Sequence, residues 1–139
     1  MREILFRGKA IDGNWYYGVP LVFTEDYVCM TAPHTYNKSV IPETVGQYTG
    51  LTDKNGKKIF EGDVVKVERD FWHGENKKER EIFISVVCYD ERSADFGLKG
   101  AKYMNLTMHR FKGDYQTVIG NIHDNPELLR TPQNDEVRE

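Results

Sequence analysis

The stretch Pro42–Val65, PETVGQYTGLTDKNGKKIFEGDVV, constrains the fold more than any other part of the chain. A short strand through Val45, Gln47 and Tyr48 runs into a glycine, then into Asn55-Gly56, then into a second apolar run. Asn-Gly favours a tight hairpin because both residues tolerate the positive φ of a type I′ turn. Glu61-Gly62-Asp63 then re-aims the backbone into Val64–Val67, whose alternation with Lys66 and Glu68 has the period of a strand with one wet face. The pattern predicts a corner of a small twisted β-barrel or sandwich. Asn55, Gly56 and Gly62 are structural turn residues in this reading.

The flanking sequence repeats the theme. Arg2–Gly8 and Trp15–Val19 read as an opening hairpin around Asp12-Gly13-Asn14. Pro20 then marks an edge or a bulge, since proline cannot donate to a ladder. Leu21-Val22-Phe23 and Tyr27–Met30 flank a tight turn, and Ala32–Ser39 reads as a surface loop. Asp70–Arg80 reads as a long charged loop. Ile82–Tyr89, apolar on both faces, is the expected central strand. Asp124-Asn125-Pro126 begins a short C-terminal helical turn, with proline at its first position and Leu128 and Leu129 closing the core. These elements give a mainly β chain in two lobes, residues 1–48 and 49–130, followed by a solvated tail over 131–139.

Composition narrows the function classes. With 19 basic and 22 acidic side chains the net charge is −3, so bulk charge does not bind this chain to nucleic acid. Its two cysteines, Cys29 and Cys88, lie in apolar runs and cannot make a disulfide framework. The start, Met1-Arg2-Glu3-Ile4, is strand-like instead of a signal peptide, and no apolar stretch approaches a membrane span of about 18 residues. A cytoplasmic protein with no membrane association is expected.

Residues that could carry chemistry do not assemble into a motif. His34, His73, His109 and His123 are scattered singly, without the intervals of a zinc site. Lys54, Lys57 and Lys58 oppose a cation near Asn55-Gly56, and the glycines lead into turns instead of a phosphate-binding helix. Neither a cofactor nor a metal is expected, and nothing marks an enzyme. Two segments remain as binding candidates. Lys99, Lys102, Tyr103, Arg110, Phe111 and Lys112 form a basic and aromatic strip suited to single-stranded nucleic acid, or a solvated edge that discourages strand pairing. Phe71, Trp72 and His73 form a candidate interface, most economically between copies of this chain.

Three stretches together resemble the YopX family of phage and prophage proteins. They are Arg2–Gly8 with Asp12–Gly18, then Glu43–Gly56 with Ile59–Val65, then Val118–Leu129. They follow the family's order and extend to about Arg130. The resemblance implies a small, mainly β, self-associating protein of phage or prophage origin acting in a bacterial host. It supplies no catalytic residues to carry over. The expected function is a non-enzymatic binding or assembly module whose partner is a second copy, or a host or phage protein. Single-stranded nucleic-acid binding is the alternative.

Overall fold

The computed structural model describes residues 3–31, 37–100, 106–107 and 115–129. The chain divides into two compact units, Met1–Gly50 and Leu51–Glu139. As expected it is mainly β, but its strands form two antiparallel sheets, and neither closes into a barrel among the described residues.

The first unit contains β1 (Phe6–Lys9), β2 (Trp15–Phe23), β3 (Val28–Thr31), β4 (Lys38–Val40), a one-turn 3-10 helix at Pro42–Thr44 and most of β5 (Gly46–Thr52). Neighbours run β4-β3-β2-β1-β5. The opening hairpin pairs Phe6 with Gly18 and Lys9 with Trp15, turning at Gly13, whose φ of 88° suits glycine. Lys38 and Ser39, placed in a loop by their polarity, instead pair with Met30 and Cys29. Pro20 is accommodated by a register shift between Pro20 and Val22, the bulge that its missing N–H leads one to expect. One sheet face buries Val28, Met30 and Val40 with Ala10, and packs Phe6, Tyr16 and Val45 against them. The fit is close at Gly8, where a Cβ would lie 2.5 Å from Val40 Cγ2.

The second unit begins with the end of β5. Its other strands are β6 (Lys58–Phe60), β7 (Asp63–His73), β8 (Lys77–Asp90), β9 (Asp95–Lys99), β10 (Leu106–Thr107) and β11 (Gln116–Asn121). Its five-stranded sheet runs β10-β9-β8-β7-β11, so the apolar run Ile82–Tyr89 does lie on the central strand. Ile59, Val65, Val67, Phe83, Val87 and Leu98 form the core, with Leu51, Phe96 and Val118 packed against it. β9 starts at Asp95, leaving residues 91–94 to make the turn after β8. The 3-10 helix Pro126–Leu129 buries no residue, and Leu128 and Leu129, expected to close the core, are half-buried.

The turn at Asn55-Gly56 departs from the expected type I′ geometry. Only Gly56 takes positive φ, at 83°, while Asn55 does not. Gly56 N–H donates to Asp53 O at 2.9 Å, and Asp53 N–H donates to Lys57 O at 2.7 Å. The reason is the Asp53 side chain. Its Oδ1 accepts the backbone N–H groups of Asn55 and Lys57, each at 2.9 Å, and holds the turn open by one residue. Gly62 keeps its expected role with φ 91°. Its N–H reaches Val87 O at 2.8 Å, and its O accepts from Ile122 N–H at 2.9 Å.

Candidate functional site

The sequence expectation that fails most clearly is the charged loop at Asp70–Arg80. These residues belong to a hairpin, with strand pairing continuous from Val64↔Val86 to His73↔Lys77 and a turn at residues 74–76. Gly74 supplies the left-handed turn residue at φ 69°. The β11 ladder on β7 ends at Val67, and the β9 ladder on β8 starts at Val86. Between these points, among the described residues, the two strands pair only with each other. The result is a two-stranded arm continuous with the sheet.

Ion pairing takes over on the arm where the core stops. One face alternates Lys66, Glu68, Asp70 and Trp72 along β7, with Arg80 and Lys78 opposite Asp70 and Trp72. Glu68 accepts a hydrogen bond from Arg80, with Lys66 Nζ at 3.5 Å and Lys54 Nζ at 3.8 Å. Asp70 lies 3.3 Å from Lys78 Nζ and 3.8 Å from Arg80. The Arg80 hydrogen bond holds the Glu68 carboxyl below its ordinary pKa. Burial works against this, and the charges of Lys66, Lys54 and Arg80 reinforce it. On the opposite face Arg69 Nε donates to the buried Glu81 at 2.8 Å. Lys54, Glu68, Arg69, Asp70, Arg80 and Tyr115 line a polar cleft of about 260 Å³ at the base of the arm.

Trp72, near the tip, is 64% exposed, while the side chains of Phe71 and His73 lie outside the described ones. Lys99 ends β9 with its side chain exposed. Lys102, Tyr103, Arg110, Phe111 and Lys112, the rest of the strip, lie outside the described residues. Among the described residues no group of three or more His, Cys, Asp or Glu could hold a metal. Burial raises the Cys88 thiol pKa, which opposes formation of a reactive thiolate at neutral pH. No described helix is long and apolar enough to cross a membrane.

Sequence reasoning missed two surfaces. One is the charged arm face, whose signal was the alternation of Glu68, Asp70 and Trp72 before a glycine turn and of Lys78 and Arg80 after it. The other is β2, where Tyr17, Val19, Leu21, Val22 and Phe23 are exposed, as is Tyr27 after the turn. Tyr17, Val19 and Val22 share the sheet face of Cys29 and Thr31, opposite the Val28 and Met30 core.

Fold and site together define an all-β protein of two antiparallel sheets, with an ion-paired hairpin arm and an exposed apolar strand. The chain belongs to the YopX family, whose sequence model, described as YopX protein, matches residues 6–130. Its fold is similar to the crystal structure of protein EF1440 from Enterococcus faecalis, at 24% identity and a TM-score of 0.54. The similarity covers 93% of this chain and 99% of that one. No match is found among curated proteins.

Proposed function

We propose that the protein is a non-enzymatic accessory protein of a phage or prophage, acting in the host cytoplasm as a self-associating assembly module. The observation that carries this reading is the apolar surface of β2. Its five large apolar side chains from Tyr17 to Phe23 are exposed, Phe23 to 67%. Scattered exposed apolar residues are ordinary, but a contiguous set on one strand is a mark of an interaction surface. A second copy is the favoured occupant, because the patch of Tyr17, Val19 and Val22 on one sheet face can meet itself about a two-fold axis.

The test is the mass of the native chain in solution at micromolar concentration, beside a Val19→Glu/Val22→Glu variant. Both side chains are exposed, so the variant is expected to fold, as circular dichroism would check. A native multimer that becomes a monomer in the variant supports the reading. A strictly monomeric native chain overturns it, as does a multimer indifferent to the two charges.

A further inference from the structure

On the charged face of the arm cations outnumber carboxylates among the described residues. Among the described residues four cations, Lys54, Lys66, Lys78 and Arg80, pair with two carboxylates, Glu68 and Asp70. Each carboxylate is shared, Glu68 among three cations and Asp70 between two. These six side chains carry a surplus of two positive charges, although the whole chain has a net charge of −3. Exposed ion pairs contribute little, about 0–1 kcal/mol each, so cations sharing a carboxylate exchange partners readily. A multiply charged anion laid along the face would also relieve their mutual repulsion.

Two aromatic rings mark which polyanion fits. Tyr115 borders the cleft at the base, and Trp72 stands toward the tip on the face that carries Glu68 and Asp70. Both are exposed. From Lys66 to Trp72 the face extends about 20 Å at the usual rise of a strand. Cations tracking a backbone, interleaved with aromatic faces, are the elements of single-strand recognition, where bases stack and phosphates pair. An acidic peptide would use the same cations but has no recurring planar group to stack.

We propose that this face of the β7–β8 arm, from Lys54 and Tyr115 to Trp72 and Lys78, binds single-stranded nucleic acid. Phosphates pair with Lys54, Lys66, Lys78 and Arg80, and bases stack on Tyr115 and Trp72. None of these residues belongs to the Lys99–Lys112 strip considered from sequence. The inference is independent of self-association through β2.

The test uses the full chain with a fluorescent single-stranded oligonucleotide, as DNA and as RNA, of about 12 nucleotides. Anisotropy is followed against salt, with a duplex of the same length and polyglutamate as competitors. Binding is expected to weaken with salt and to be competed poorly by duplex and polyglutamate. Changing Lys54, Lys66, Lys78 and Arg80 to Gln together should flatten the slope of log affinity against log salt by up to about 3. Trp72→Ala should weaken binding about fivefold or more. Lys78→Arg, which keeps the charge, should retain binding, and melting temperatures check that each variant folds. Absence of binding at low salt overturns the proposal, as does an affinity indifferent to Trp72→Ala. Equal competition by polyglutamate would assign the face to an acidic protein and also overturn it.

Discussion

The two ends of the β7–β8 hairpin share one ladder but are held by different physics. At the base Val65, Val67, Phe83 and Val87 are buried in the core, and neighbouring strands β11 and β9 satisfy the outer edges. On the arm the same two strands exchange Glu68, Asp70, Lys78 and Arg80 across an exposed face. Burial is worth about 1.5–3 kcal/mol for each large apolar side chain, whereas exposed ion pairs contribute about 0–1 kcal/mol. Continuous hydrogen bonding therefore conceals a steep gradient of stability from base to tip. A ladder shows which residues pair, and burial decides how firmly.

The largest effect should come from the base. Phe83→Ala is expected to destabilise the second unit by about 3–5 kcal/mol, measured by urea unfolding. A cost as small as that of an arm substitution would remove the contrast. Next is Asp53, whose Oδ2 accepts Val118 N–H at 3.0 Å while Oδ1 holds the Asn55 turn. Burial pushes its carboxyl upward in pKa, but the backbone donors Val118, Lys57 and Asn55, with the charge of Lys57, outweigh it and hold it below the ordinary value. The folded pKa lies below the unfolded one, so the stabilisation is present above the unfolded pKa and is lost as pH falls through the folded value. Asp53→Asn should cost about 1–3 kcal/mol at neutral pH. It should also reduce the loss of stability below about pH 4, seen as converging melting temperatures.

Gly56→Val should follow, at about 1–2 kcal/mol, because a side chain is strained at φ 83° even though nothing lies within 4 Å of the added Cβ. This prediction sharpens the comparison by isolating backbone strain from packing. The smallest effect belongs to the arm itself. Arg80→Gln should change stability by no more than about 1 kcal/mol, with the difference shrinking in high salt. Hydrogen exchange would read the gradient directly: amides of Asp70–His73 should exchange well before those of Val64–Val67. Equal protection along β7 would break the comparison.

The same gradient explains what was legible in the sequence. Gly56 and Gly62 declared themselves because a positive φ is a local demand that few residues meet. Ile82–Tyr89 announced a central strand because both faces are apolar. The arm was misread because Glu68, Asp70, Lys78 and Arg80 resemble loop composition until register places opposite charges together. Lys54 and Tyr115 are far apart in the chain and meet across the same cleft only after folding. On β2 the opposite error was available: an alternation of Tyr, Val and Leu looks like core, yet its face is exposed.

The hydrogen bond from Val118 to Asp53 joins residues 65 positions apart, and this separation has a consequence in time. During synthesis the Asp53 turn leaves the ribosome well before β11 does. Its carboxylate can already hold the nearby Asn55 and Lys57 amides, but its other oxygen must wait for β11. Long-range closures of this kind slow folding because the loop entropy is lost before the contact is gained. The second unit is therefore completed late, and a chain cut short before Val118 would be left with its Asp53 turn half-made.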